Sequence, residues 1–407
     1  MSDQKRETKK DEKRSDVKLL SQGGYGCVYH PALDCQARNT GDTSRITKLQ
    51  ISKGDVENEL AIGNVLKQHH KFENHFGPLD KSCNDLTVKQ MNKTGLLTEC
   101  QLRESEQYIL TEMRFIQGNT LKHYLYRIKS PQLIIYKLIE IYRQLLFSIE
   151  KLLDKNVIHN DIKSSNIMYD VQKQLPIIID FGISFFNNQW RGKLKHIFFS
   201  YEPRYMLMAP EIHFISFLLN GDSKYVASIP NQKHDAAKNI ASEIVQNISV
   251  LQTSFSKKFV KTYTLNLMKY FEEILVDFKP GEELDAFYAK HIEPISQTWD
   301  TYSTSIMYFQ MLETVFKDRF PKVEFLERFT RHLFLNIHPD PRKRRNIREV
   351  MHEYNDLLTR HKLRDIFIDE SRFFQHQYYD KQLLEMIKQE RFSEKLSEEM
   401  KESKHRG

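Results

Sequence analysis

At 407 residues the chain exceeds the roughly 100 to 200 residues of one domain, so two lobes or domains with additions are expected. A 40% hydrophobic and 12% aromatic content excludes a disordered or collagen-like polymer. The 61 Lys+Arg against 54 Asp+Glu leave +7, but the signs are interleaved and no basic block with aromatic residues marks a phosphate-tracking groove, which argues against nucleic-acid binding.

Residues 1–16 mix basic and acidic side chains with almost nothing apolar and read as a disordered charged tail; they lack the apolar core of a signal peptide. Short β-rich runs follow, Lys18-Leu19-Leu20, Cys27-Val28-Tyr29, Arg45 to Leu49 and Tyr108-Ile109-Leu110, interrupted by a helical run from Val56 to Lys67. Cys27, Cys35, Cys83 and Cys100 show no C-x-x-C spacing, so neither a zinc site nor a disulfide framework is signalled; they read as reduced thiols of a cytosolic protein. From Thr120 the apolar period changes to three and four, and Leu133, Tyr136, Ile139, Tyr142, Leu146, Ile149 and Leu153 predict the buried face of a long helix. That stretch carries Lys137, Glu140, Arg143, Glu150 and Lys151, too many charges for a membrane span. Helices are predicted for Ala236–Ser254 and Phe259–Phe278, and a charged helical tail for Ser371–Lys404.

Two segments carry chemistry. In His159-Asn160-Asp161-Ile162-Lys163-Ser164-Ser165-Asn166, one loop holds an acid, a base and an amide. Phosphoryl transfer uses such parts: a carboxylate to orient a hydroxyl and take its proton, a lysine to neutralise the moving phosphoryl group, and an amide oxygen to help hold a metal ion. Further on, the apolar run Pro176-Ile177-Ile178-Ile179 delivers Asp180-Phe181-Gly182, an acid on a turn suited to Mg²⁺. The glycine-rich Ser21-Gln22-Gly23-Gly24-Tyr25-Gly26-Cys27-Val28 lies between two strand-like runs and could bring backbone close to phosphates.

Taken in order, these motifs resemble the eukaryotic protein-kinase family, serine/threonine type, from about Val17 to Tyr354. The resemblance implies an α+β, two-lobed protein-kinase fold: a small β-rich N-lobe at 17–115, a larger mainly helical C-lobe at 116–360 with a helical insertion at 216–297, and a charged helical extension at 361–407. It implies transfer of the ATP γ-phosphoryl group to protein hydroxyls, with Asp161 as base, Lys163 beside it, and Asn166 and Asp180 holding Mg²⁺, or Mn²⁺ in its place. Lys48 would pair the α and β phosphates, with Glu59 its helix partner and Glu57 the rival; Ile62 and Leu66 follow Glu59 at helical spacing and favour it. Ser21, Gly23, Gly24 and Gly26 would cover the phosphates, Val28 and Met168 sandwich the adenine, Thr111 line the back of the pocket, and Glu112 and Met113 offer backbone groups to the base. Ala209-Pro210-Glu211, Arg344 and Asp300 resemble structural members of the same set, Arg344 as the ion-pair partner of Glu211 and Asp300 as the tie on the catalytic loop.

Three departures stand out. Asn160 replaces the arginine that usually clamps a phosphorylated activation loop; the threonine usually found five residues before Ala209 is absent; and the insertion separates Glu211 from Asp300. The first predicts activity independent of activation-loop phosphorylation, and the insertion is a candidate docking place for a protein partner beside the protein substrate. These features resemble divergent kinases of large DNA viruses, which implies action in host cytoplasm or virion; otherwise the location expected is cytoplasmic, with no membrane span. A pseudokinase scaffold is the alternative, but it would commonly lack one of Lys48, Asp161, Asn166 or Asp180, and all four are present.

Overall fold

The computed structural model describes residues 17–23, 26–51, 55–83, 86–87, 100, 107–280, 284–316 and 324–360. The expectations for 1–16, for Gly24 and for 361–407 lie outside them. The chain divides into two compact units, one drawn from residues up to 53 and from 79–115, the other from 54–78 and from 116 onward.

In the first unit β-branched and aromatic residues alternate with polar ones, and the segments pair as a sheet. Lys18–Gly23, Gly26–His30, Arg45–Ile51, Gln107–Arg114 and Lys81–Ser82 are neighbours in that order, and Leu86–Thr87 also pairs with Gln107–Arg114. Every pairing is antiparallel, with Val28 opposite Lys48 and Lys48 opposite Thr111. Gly26 is required at its place: its φ is 144°, and a Cβ there would lie 1.6 Å from the Leu49 carbonyl oxygen. Tyr29, Leu33, Leu49, Tyr108 and Leu110 form the small core.

The cysteines correct the sequence reading. They form two disulfides, Cys27–Cys100 and Cys35–Cys83, with Cα atoms 6.1 and 5.3 Å apart. Sequence separations of 73 and 48 residues hid both pairs, because residues brought together only by folding leave no local spacing signal. Thiol chemistry therefore gives no ground for a reducing compartment.

In the second unit the helix Pro131–Asp154 starts with proline in its first turn, and the Ser130 hydroxyl accepts the Leu133 N–H at 3.3 Å. Its buried face takes in Ile139, Tyr142, Leu146 and Ile149 of the expected stripe and is wider than it. Ile134, Ile135, Leu138, Ile141 and Leu145 point inward, whereas Leu133 and Tyr136 are 45% and 38% exposed. The helix Asp55–Leu66 belongs to this unit and not to the first, because Ile62 and Leu66 join the same core. Phe76–Gly77 then pairs in parallel with Ile178–Ile179, in a sheet ordered Phe76–Gly77, Leu175–Ile179, Ile167–Asp170, Gly118–Thr120.

The insertion is helical and packed. Lys233–Asn247 buries Ile240 and Ile244, Lys257–Ile274 buries Leu267 and Phe271, and Phe271 stacks on Phe214 at 4.2 Å. Where one helix is expected over Ala236–Ser254 there are two, Lys233–Asn247 and Ser249–Ser254, because Ile248 adopts φ −81°, ψ 88°. Phe278 lies beyond the end of the second insertion helix, which stops at Ile274 before a short 3₁₀ turn. Among the described residues no helix is long and apolar enough to cross a membrane.

Candidate active site

The loop after strand Val157–Ile158 is fixed by a buried carboxylate. Asp300, in the first turn of the helix Trp299–Phe316, accepts the backbone N–H of His159 at 2.8 Å and of Asn160 at 3.0 Å. Burial pushes the Asp300 carboxyl up, and the hydrogen bonds from these two N–H groups pull it back. Asn160 takes φ 64°, a left-handed conformation that Asn tolerates better than a longer side chain does. The His159 ring ties this loop to the strand before Asp180. Its Nδ1 accepts the Asp161 N–H at 3.2 Å, so Nε2 carries the hydrogen and donates to the Ile179 carbonyl at 3.1 Å. Complete burial pushes the His159 imidazole below its usual range, in keeping with that neutral tautomer.

Asp161, Lys163 and Asn166 meet in space. A 3₁₀ turn over Ser164–Asn166 brings the Asn166 amide back to donate to Asp161 Oδ2 at 2.9 Å and to the Asp161 carbonyl at 3.1 Å. The Lys163 ammonium lies 3.2 Å from the same Oδ2, and the Tyr205 phenol donates to Oδ1. With its amide hydrogens directed at Asp161, Asn166 keeps its carbonyl oxygen as a donor for a hard cation.

Asp180 also has positive φ, 64°, a sparsely populated conformation for a non-glycine residue that the surroundings must enforce. They do so by hydrogen bonds. Glu59 Oε1 accepts the Phe181 N–H at 3.3 Å, Asn58 donates to the Ser184 carbonyl at 2.8 Å, and the Ser184 hydroxyl donates to the His159 carbonyl at 2.9 Å. Glu59 is buried and Glu57, its rival, is exposed. Phe181 is fully buried, edge-on to Phe76 with ring centroids 6.2 Å apart.

The segment from Asp180 to Glu211 is anchored along its length by the insertion. Trp190 and Phe198 pack on Tyr288 with centroids 4.7 and 5.6 Å apart. The Gly192 N–H donates to Asp285 at 3.0 Å, Ser296 to Asn187 at 2.8 Å, and Tyr201 to Glu243 at 2.8 Å. At the end Glu211 and Arg344 form two parallel bonds of 2.9 Å, both side chains fully buried. Burial, the largest influence on Arg344, disfavours its charge, but the Glu211 carboxylate outweighs it and holds the guanidinium above its ordinary range.

The remaining expected site residues of the first unit lie on its sheet. Ser21 and Gly23 are in the first strand, Gly26 and Val28 in the second, Lys48 in the third, and Thr111, Glu112 and Met113 in Gln107–Arg114. The Thr111 hydroxyl donates to the Lys48 carbonyl at 3.1 Å. Glu112 has further partners in the first unit. Its carbonyl accepts the Asp80 N–H at 2.8 Å, and its side chain pairs with Arg45 and, at 2.9 Å, with Lys81. One acceptor position of that carbonyl is thus used within the sheet. Met168 is half-buried in Ile167–Asp170, opposite Thr120 and Ile177.

Fold and site together define a class: a β-rich unit and a mainly helical unit, with a buried acid, amide and lysine on one loop and an acid on the next turn, are the architecture of a protein kinase. Residues 16–214 match the protein kinase domain family, and the chain carries a divergent protein kinase domain. Similar proteins include the EKC/KEOPS complex subunit bud32 of Dictyostelium discoideum, 30% identical over 126 residues, covering 30% of this chain and 50% of that protein. A probable serine/threonine-protein kinase of Fowlpox virus is 27% identical over 173 residues, covering 41% of this chain and 52% of that protein. The chain thus spans about half the length of these two relatives. The family match ends before the insertion helices, Asp300 and Arg344.

Sequence reasoning missed Tyr205, Tyr288 and Asp285. The absent threonine before Ala209 marked the region of Tyr205 without naming it. Nothing in the sequence marks Tyr288 or Asp285, whose roles exist only once the insertion folds back on the segment from Asp180.

Proposed function

We propose that the chain is an active kinase that transfers the γ-phosphoryl group of ATP to serine or threonine hydroxyls of proteins. The observation that carries this reading is the buried convergence of Asn166 and Lys163 on Asp161 Oδ2, which holds a carboxylate in one orientation beside a cation. Asp161 would orient the attacking hydroxyl and accept its proton, and Lys163 would offset charge on the moving phosphoryl group. The Asn166 carbonyl oxygen and the Asp180 carboxylate are hard oxygen donors, the set that suits Mg²⁺, and Mn²⁺ as well, when phosphates complete the coordination. Bound there, the cation would neutralise phosphate charge.

The nucleotide roles of Lys48, Glu59, Gly23, Gly24, Gly26, Ser21, Val28, Thr111, Met113 and Met168 follow the family pattern. Glu59 has in its favour a buried carboxylate directed at the backbone next to Asp180. Glu112 and Met113 would offer backbone groups to the base. Anchoring by Tyr288, Asp285 and Glu243 supports activity without activation-loop phosphorylation. A protein partner at 216–297 would use the outer surface, where Leu265 and Val276 are exposed. ATP use suits a cytoplasmic place of action, or a virion if the chain is viral.

The test is phosphate transfer from labelled Mg-ATP to mixed protein substrates, followed by phosphoamino-acid analysis, with native protein, Asp161→Asn and Asp180→Ala. Labelled serine or threonine in the native reaction and background in both variants is expected. A native protein as silent as the variants, yet able to bind ATP, would leave the scaffold reading in its place.

A further inference from the structure

Asp161 Oδ2 receives the amide of Asn166 and the ammonium of Lys163; on Oδ1 the donor is the phenol of Tyr205. The position five residues before Ala209, where the family places threonine, is Arg204, whose side chain is 52% exposed and pairs with Glu202 at 3.1 Å. The next residue, with a longer side chain, supplies a hydroxyl to the loop instead. We infer that Tyr205 is a positioning residue for phosphoryl transfer, its phenol fixing the carboxylate plane of Asp161; the inference rests on the kinase reading above.

Two features make Tyr205 part of the site and not a movable cap over it. Its backbone is held on both sides: its N–H donates to the Glu202 carbonyl at 2.9 Å, and its carbonyl accepts His213 Nε2 at 3.1 Å and the Met208 N–H at 3.3 Å. The residue is 1% exposed, and the next four residues, Met206 to Ala209, are buried in the same core, so withdrawal would open that core. The Lys163 ammonium lies 5.8 Å from the ring centroid, so the phenol and the lysine border the same carboxylate. A carboxylate offers about four acceptor positions, two on each oxygen, so a phenol and an attacking hydroxyl can share Oδ1. A carboxylate fixed on both oxygens meets the substrate hydroxyl with less reorganisation than one that can turn about its χ2 bond.

The test compares native protein with Tyr205→Phe, which keeps the ring and its packing. The expected result is a kcat lower by about 10- to 100-fold, the range for losing a hydrogen bond to a charged group, with KM for ATP changed less than about twofold. A second readout does not depend on turnover. With 3-fluorotyrosine at position 205, the ¹⁹F resonance should move when Asp161→Ala removes the acceptor. An unchanged kcat in Tyr205→Phe overturns the inference, as does a raised kcat, which would make the phenol an obstruction. A ¹⁹F resonance indifferent to Asp161→Ala overturns the contact itself. If native protein transfers no phosphate while the resonance does respond, the kinase reading has failed, and the catalytic role of the contact falls with it.

Discussion

Removing one member of the Glu211–Arg344 pair should destabilise the second unit far more than removing both. Both side chains have zero exposure and are joined by two bonds of 2.9 Å; Arg344 also donates to the His338 carbonyl at 3.0 Å and lies 4.7 Å from the Tyr302 ring centroid. Glu211→Gln keeps the shape but leaves a guanidinium buried without its counter-charge, a change that costs about 3–5 kcal/mol. At 2–4 °C per kcal/mol for domains of this size, the unfolding midpoint should fall by roughly 6–20 °C. The double change Glu211→Leu with Arg344→Met removes both charges and should restore much of that loss. The two tryptophans of the chain, Trp190 and Trp299, both belong to the second unit, so intrinsic fluorescence follows that unit without interference from the first. A Glu211→Gln midpoint within about 2 °C of native, or a double variant as unstable as the single one, would refute the reasoning.

Treatment with phosphatase should leave most activity intact, since packing and hydrogen bonds hold the segment from Asp180 to Glu211; a complete loss would show that a phosphate is needed after all. Tyr288→Ala removes the ring beneath Trp190 and Phe198 and should lower both kcat and, by about 3–5 kcal/mol, the stability of the second unit; kinetics and fluorescence melts check it, and a native-like kcat would disprove the anchoring role. Full reduction should raise hydrogen exchange across Gln107–Arg114 much more than across Pro131–Asp154. Chain entropy gives about 4 kcal/mol for a loop of either length, less for the second because 35–83 is nested within 27–100; four free thiols in unreduced, denatured protein would contradict the pairing. Burial pushes the His213 imidazole down to about 4, so the native fold favours its neutral form. Its contribution is complete above the unfolded value of 6.5 and is lost as pH falls toward 4, by about 3 kcal/mol in all. Fluorescence melts of His213→Gln should therefore show a shallower acid decline than native protein, and equal slopes would count against it.

The loop of the candidate site was legible in the sequence because its parts are local: Asp161, Lys163 and Asn166 lie within six residues and a single 3₁₀ turn brings them together. Asp300 and Arg344 were legible for another reason, since each sits in a short motif at a helix start or turn. What was not legible depends on neighbours remote in sequence. The disulfides join Cys27 of a strand and three cysteines outside strands, in pairs 73 and 48 residues apart. Leu133 and Tyr136 failed because a helix with apolar residues on more than half its circumference does not show, from spacing alone, which face meets the core.

Asn160 and the insertion are two sides of one arrangement. An arginine at that position would serve a phosphate on the activation segment, and the left-handed backbone there suits asparagine. Without such a clamp the segment needs other attachments, and the insertion supplies them at intervals: Ser296 at Asn187, Tyr288 at Trp190 and Phe198, Asp285 at Gly192, Glu243 at Tyr201. These attachments form as the chain folds and require no later modification. A phosphate clamp can be switched, whereas a packed aromatic core can be opened only by unfolding it, at a cost of several kcal/mol. Control of such a kinase would then act on its substrate, its abundance or the outer surface of the insertion, and not on its activation segment.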